Sequence, residues 1–153
     1  MSMFEIVFSP TGGTEKVSGL VTGTLDGNIV TVDLTDSGLD FHGVSMAKGD
    51  VAVISVPSYA GRVPAVAVER LGMVRGNGAR AVLVCVYGGR AFEDTLIELE
   101  DVAKRAGFGV VAAVSAIAEH SVARQFAAGR PDAQDVAQLS EFAQRIWQKL
   151  LDG

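Results

Sequence analysis

Two short runs of this sequence, VAVISV at 51–56 and AVLVCV at 81–86, consist almost entirely of apolar residues. A strand that is covered by helices on both faces gives a continuous apolar run, whereas a strand with one face in water alternates apolar and polar residues. We therefore predict that both runs are buried strands of a parallel sheet with helices on both sides.

Three further short apolar runs are predicted to be strands: 3–8, 29–34 and 109–117. In the second of these runs, Val30, Val32 and Leu34 alternate with polar residues. This alternation is typical of a strand with one exposed face, so it predicts a strand at the edge of the sheet.

Helical periodicity fills the intervals between the predicted strands. The first helix follows Thr14, the second has Pro64 at its first position, and the third spans 93–107 and stops at Gly107. The last helix begins near Asp132, a good N-cap residue. Its predicted buried stripe comprises Val136, Leu139, Ala143, Ile146 and Leu150, with Trp147 at the border of the stripe.

Strand and helix alternate five times, with one additional weak helical stretch inside 35–49. This order predicts an α/β fold with a doubly wound parallel sheet and right-handed crossovers. No repeat and no internal boundary interrupts the pattern, so we expect a single domain over 1–153.

The composition excludes several classes of protein. A net charge of −5 argues against nucleic-acid binding, which needs a clustered basic face, but permits a basic protein partner. Cys85 is the only cysteine, so no disulfide framework or cysteine-ligated iron–sulfur cluster is possible. The sequence MSMFEIVFSP lacks the basic region of a secretory signal, and no run of ~20 apolar residues could span a membrane. We expect a soluble cytoplasmic protein.

The carboxyl ends of the first, third and fourth strands lead into three stretches rich in glycine and hydroxyl side chains. These stretches are SPTGGT at 9–14, PSYAGRVP at 57–64 and YGGRAFED at 87–94. Ligands of open α/β sheets bind beyond the carboxyl ends of the strands, where the strand order reverses. The three stretches are therefore predicted to form one binding site.

The first stretch has the composition of a neutral phosphate cradle. A strand-to-helix turn directs backbone amides at one point, and the start of the helix adds partial positive charge. Gly12 and Gly13 allow a ligand to approach closely, while Ser9, Thr11 and Thr14 offer hydroxyl donors. The alternative is a glycine-containing turn with a threonine N-cap.

Other motifs for nucleotide chemistry or hydrolysis are absent. The sequence contains no G-x-x-x-x-G-K-[ST], no G-x-G-x-x-G after the first strand and no G-x-S-x-G. Cys85 falls inside a predicted strand and is interpreted as a small core residue. His42 and His120 lie in no pattern of metal ligands, so we predict neither a metal site nor catalytic residues.

The segment FSPTGGT at 8–14 resembles the phosphate-binding loop of flavodoxins, whose core is T-G-x-T. With YGGRAFED and AEHSVARQFAAGRPD at 118–132, it resembles more closely the flavodoxin-type domain that anaerobic bacteria fuse to a two-cluster ferredoxin module. The ferredoxin cysteines are absent. The resemblance implies five parallel strands in the order 2-1-3-4-5. Pro10 and Gly13 depart from the family pattern, which often has asparagine in place of Gly13 and gains a side-chain contact there.

The resemblance also implies that FMN is the cofactor, held without a covalent bond. Its phosphate would lie on 9–14 and its ring between the two later loops, with Tyr59 on one face and either Tyr87 or Phe92 as the other ring contact. The residues implied to bind FMN are Ser9, Thr11, Gly12, Gly13, Thr14, Pro57, Ser58, Tyr59, Ala60, Gly61, Tyr87, Gly88, Gly89, Arg90 and Phe92.

Two main functions are compatible with this site. The first is an electron carrier that exchanges electrons with a redox protein such as a ferredoxin or an oxidoreductase. The second is an FMN-dependent oxidoreductase that acts on a small molecule such as a quinone. A flavin-free interaction module is a third alternative. The long connection 118–131 is expected to be either a short helix or lid beside the flavin or a simple capped connector.

Overall fold

The computed structural model describes residues 2–10, 12–23, 29–59, 61–87, 93–117 and 133–152. The strands in these ranges are β1 (Met3–Val7), β2 (Ile29–Asp33), β3 (Val51–Pro57), β4 (Arg80–Tyr87) and β5 (Gly109–Ile117). The helices are α1 (Gly13–Thr22), α2 (Ala65–Met73), α3 (Glu93–Arg105) and α4 (Ala133–Asp152), with a 3-10 turn at Phe41–Gly43.

The sheet is parallel throughout, with the strand order β2-β1-β3-β4-β5. This result confirms the predicted doubly wound sheet and its order. From β1 the chain first moves outward to β2 and then crosses back to β3, so the direction of winding reverses between β1 and β3. A crevice at the carboxyl ends of these two strands is where this class of fold binds its ligands.

Two apolar cores lie on opposite faces of the sheet. Alternate residues of β3 point to each side: Ile54 belongs to the core covered by α2 and α3, and Val53 to the core covered by α1 and α4. Both faces of β3 and β4 are therefore enclosed, which explains their continuous apolar sequences. Trp147 is 9% exposed and lies inside the second core.

The predicted edge position of β2 is confirmed, and one local prediction, for Pro64, needs correction. On β2, Val32 is buried, whereas Val30, two residues earlier on the same face, is 50% exposed. Pro64 is the N-cap of α2 and not its first helical residue, since α2 begins at Ala65. The strand β5 is continuous but contains a bulge, because Ala81 pairs with Val110 while Val82 pairs with Ala112.

The helix α1 faces the sheet with a polar stripe that the apolar periodicity did not predict. Ser18 is fully buried and donates a 2.8 Å hydrogen bond to Oε2 of Glu5 on β1. It also accepts one of 2.8 Å from the buried hydroxyl of Ser55 on β3. Thr22, one turn further along, donates to the same Glu5 oxygen at 3.3 Å. These bonds satisfy polar groups that would otherwise be costly to bury.

At the amino edge of the sheet, two backbones meet at Gly76. Its amide donates to the carbonyl of Ala106 at 2.7 Å. A Cβ atom at this position would lie 2.7 Å from both the carbonyl carbon of Gly107 and the amide nitrogen of Phe108. Backbone atoms cannot yield as a flexible side chain can, so only glycine fits at this position.

We expect Gly76→Ala to lower the free energy of unfolding by about 2–3 kcal/mol or more, because overpacking against backbone forces the two loops apart. Urea unfolding followed by circular dichroism measures this loss. Gly19→Ala is the control: a Cβ there meets nothing within 4 Å, and it lies inside α1. It should stabilise the protein by ~0.5–1 kcal/mol. Equal stability of the two variants would contradict the close approach at Gly76.

Candidate functional site

The loop between β1 and α1 leaves open space at its glycine. Gly12 has a φ of 90°, in the left-handed region that favours glycine, and is the N-cap of α1. A Cβ atom at Gly12 would meet nothing within 4 Å. The helix starts at Gly13, so Thr14 is its second residue and not the threonine cap considered as the alternative.

In the first turn of α1, some backbone donors have no acceptor among the described residues. The amide of Lys16 makes the first helical bond, to the carbonyl of Gly12 at 3.1 Å, and that of Glu15 donates to Ser9 Oγ at 2.9 Å. In the described part of the chain, the amides of Gly13 and Thr14 have no acceptor. Together with the helix dipole, these two donors suit an anion.

Ser9 has a structural contact that sequence reasoning did not identify. Because its hydroxyl oxygen accepts from the amide of Glu15, Ser9 caps α1 from outside the helix. A hydroxyl that accepts one hydrogen bond can still donate another, so capping and ligand binding are compatible. Thr11 lies outside the described residues.

The loop after β3 forms a tight turn. The amide of Tyr59 donates to the carbonyl of Arg62 at 2.8 Å, and the amide of Arg62 donates back at 3.0 Å. Gly61 has a φ of 79°, and a Cβ on it would meet nothing within 4 Å. Pro57 ends β3 and is half-buried, while Ala60 lies outside the described residues.

Tyr59 lies on the rim of a cleft of about 420 Å³ between this turn and α3. Its side chain is 38% exposed, and partial burial raises the pKa of its phenol, which therefore stays neutral. The start of α2 also borders the cleft, which is lined by Tyr59, Arg62, Val63, Pro64, Ala65, Val68 and Glu98. A half-exposed aromatic ring on an open rim suits contact with a planar ligand.

Two side chains of α3 hold the segment 58–63. The hydroxyls of Ser58 and Thr95, both buried, lie 2.6 Å apart. Glu98 accepts from Arg62 Nε at 3.1 Å and Nη2 at 2.6 Å, and from the amide of Val63 at 2.7 Å. The hydrogen bond from Arg62 is the main reason why the pKa of Glu98 is lowered. Neither α3 residue was a predicted site residue.

The loop after β4 begins at Tyr87, which is half-buried at the end of that strand. The predicted site residues Gly88, Gly89, Arg90 and Phe92 lie outside the described residues, as does the segment 118–132. The choice between Tyr87 and Phe92 as a ring contact therefore stays open. Cys85, two residues earlier, is fully buried, and burial raises its pKa to about 12, which leaves an inert neutral thiol.

The structure thus brings two of the three predicted stretches together where the winding reverses. Ser9, Gly12, Gly13 and Thr14 follow β1, and Ser58, Tyr59 and Gly61 follow the adjacent β3. A five-stranded parallel sheet in the order 2-1-3-4-5 is a flavodoxin-like fold, and ligands of such sheets bind where the strand order reverses.

Solved structures with this fold include flavodoxins and an azoreductase. Flavodoxin 1 from Bacillus cereus has a TM-score of 0.68 and 14% identity, over 97% of this chain and 98% of that one. A Streptococcus pneumoniae flavodoxin has a TM-score of 0.62 and 20% identity, over 97% and 99%. An azoreductase from Bacillus anthracis has a TM-score of 0.63 and 12% identity, over 97% and 100%.

These similarities show the fold, at identities too low to show more. No protein-family model and no curated protein sequence matches the chain. None of the helices in the described ranges is both long and apolar enough to cross a membrane.

Glu98 should titrate below 4.5, its ordinary value, because its carboxylate is stabilised by Arg62 and by the amide of Val63. A lowered pKa means that its contribution to stability is complete above about 4.5 and is lost as the pH falls through the lower, folded-state value. A carbon-13 NMR titration of the side-chain carboxyl measures the midpoint.

In Arg62→Ala the midpoint should move up toward the ordinary value, because the largest cause of the shift is gone. A wild-type midpoint at or above 4.5 would show that the ion pair does not form in solution.

Proposed function

We propose that this protein binds FMN without a covalent bond and serves as a flavodoxin-like electron carrier for a redox protein such as a ferredoxin or an oxidoreductase. The observation that carries the proposal is the open start of α1: a left-handed Gly12 with free space beside it, followed by two amides without described acceptors. A phosphate monoester has the charge and size for this position.

The residues present fit FMN. Gly13 and Thr14 would donate to the phosphate, and the missing side chain of Gly12 lets it approach. Tyr59 would contact one face of the ring, next to Gly61, whose surroundings are open. Bound FMN would supply the centre that takes up and releases electrons. Thr11, Ala60, Tyr87, Gly88, Gly89, Arg90 and Phe92 are proposed to complete the site.

The chain's own charge would influence both the cofactor and its partners. A net charge of −5 disfavours additional negative charge at the site, and therefore favours a low reduction potential. The same charge would attract a basic surface on a partner protein. A cytoplasmic location and a relation to the flavodoxin-type domain of ferredoxin fusions belong to this proposal, and they rest on the sequence.

An FMN-dependent oxidoreductase that acts on a small molecule such as a quinone is the second candidate. Two observations favour it: the similarity to the azoreductase from Bacillus anthracis, and the cleft of about 420 Å³ beside Tyr59. The cleft is open, so a small substrate could reach the same rim from solvent.

FMN should bind with a sub-millimolar or lower dissociation constant, and riboflavin should bind at least about tenfold more weakly because it lacks the phosphate. Fluorescence titration of each flavin measures both constants. Gly12→Ala should weaken FMN more than riboflavin, since its Cβ would enter the space beside the two amides and Gly12 has a φ of 90°. Gly19→Ala is the control and should bind both flavins as the wild type does. Equal affinity for the two flavins would contradict a phosphate cradle, and binding of neither would favour a flavin-free module.

The two redox functions differ in their response to substrate and salt. A carrier should reduce cytochrome c, a basic redox protein, at a rate that falls as salt rises, because screening weakens attraction to an acidic chain. A small-molecule reductase should instead show saturable turnover with a benzoquinone. Stopped-flow mixing of the reduced, FMN-loaded protein with each acceptor measures both. Saturation with quinone and no salt dependence with cytochrome c would overturn the carrier.

A further inference from the structure

The turn 59–62 is contacted from outside by the helix α3. A two-residue turn closed by two backbone hydrogen bonds is only marginally stable on its own. Gly61 at its tip has a left-handed φ, and a Cβ atom on it would meet nothing within 4 Å. Among the described residues of the turn, these two backbone bonds are the only hydrogen bonds within it, so contacts from outside the turn influence how firmly Tyr59 is held.

Glu98 on α3 anchors the exit of the turn by hydrogen bonds. Its two carboxylate oxygens accept hydrogen bonds from the guanidinium of Arg62, and Oε1 also accepts from the amide of Val63. The carboxylate thus holds both a side chain and the backbone at the exit of the turn. The Glu98 side chain is 21% exposed, against 44% for Glu100, which forms an ordinary pair with Lys104. Arg62 is itself 71% exposed, so the forked geometry and the added bond to the Val63 amide, more than burial, distinguish this pair from an ordinary surface pair.

Thr95 provides a second attachment one turn earlier in α3. Its fully buried hydroxyl lies 2.6 Å from that of Ser58, the residue that precedes the turn. Residues 95 and 98 are three apart, so they lie on one face of the helix. The entrance and the exit of the turn are therefore both attached to the same face of α3.

The same helix also follows the other proposed wall of the site. The strand β4 ends at Tyr87 and α3 begins at Glu93, so its first turns come directly after the segment 88–92. The loop after β4 thus leads directly into α3, and side chains of α3 form hydrogen bonds with the loop after β3.

We propose that Glu98 is a positioning residue for flavin binding: through Arg62 and Val63 it fixes the turn that carries Tyr59. This inference rests on the proposed function. Glu98 does not itself contact the flavin in this proposal.

The test compares Glu98→Gln with Glu100→Gln. The first variant keeps the size of the side chain but loses the charge that pairs with Arg62. The second makes the same chemical change in the exposed pair with Lys104 on the same helix. Urea unfolding first establishes that both variants fold.

Amide hydrogen exchange, measured by NMR without flavin, reports on the turn directly. In Glu98→Gln the amides of Arg62 and Val63 should exchange about tenfold faster, because a charge-assisted bond is weakened. Exchange in the β3 core should not change. In Glu100→Gln both amides should behave as in the wild type.

Titration with FMN then tests the consequence for binding. Glu98→Gln should weaken FMN binding by about tenfold or more, and Glu100→Gln by less than about twofold. Bound FMN should also fluoresce more strongly in Glu98→Gln, because a loosened Tyr59 quenches the flavin less. A role in stability alone would not change this fluorescence. Glu98→Asp, which keeps the charge, should recover part of the affinity.

The outcomes separate this inference from the proposed function. Faster exchange at Arg62 and Val63 with unchanged FMN affinity and fluorescence would overturn the positioning role, although FMN binding itself would stand. Unchanged exchange would show that Glu98 does not hold the turn and would overturn the inference as well. If the wild type bound no FMN, both the proposed function and the role of Glu98 in flavin binding would be contradicted. The exchange measurement would still decide whether Glu98 holds the turn.

Discussion

The enclosure of β3 and β4 on both faces is the constraint on which the rest of the architecture depends. A strand that is buried on both sides needs helices on both sides, and parallel neighbours need crossover connections to supply them. Every strand then ends at the same edge of the sheet. The convergence of the loops after β1 and β3 is therefore a consequence of where the apolar side chains must go, before any ligand is considered.

The two adjacent loops at this edge are built in different ways. The first loop has a local contact, since the hydroxyl of Ser9 accepts a hydrogen bond from the amide of Glu15, six residues later in the chain. The second depends on α3, whose contacts reach across 36 residues to Arg62. The proposed FMN site would thus combine an anion-binding end that is ordered locally with an end whose geometry is controlled from a neighbouring helix. Such an arrangement would suit FMN, because the charge of its phosphate stays constant while the charge of its ring changes on reduction.

The order and type of the main elements could be predicted because their signals are local: apolar runs, helical periodicity and stops such as Gly107, which has a φ of 98°. The position of the candidate site followed from that order alone. The pairing of Glu98 with Arg62 could not be predicted, because a surface acid among several on one helix has no pattern that names its partner. The alternation in β2 correctly predicted an edge strand, but alternation does not show how far each face is covered, so the exposure of Val30 beside the buried Val32 could not be predicted.

The polar stripe of α1 restricts how that helix can move. Apolar side chains tolerate sliding, because dispersion contacts are replaced by similar ones, whereas the bonds of Ser18 to Glu5 and Ser55 have a required distance and direction. A shift by one residue, about 1.5 Å along the axis, would break them together. The helix is thus fixed in register against β1 and β3. The position and orientation of its first turn at the carboxyl ends of these strands are therefore fixed as well.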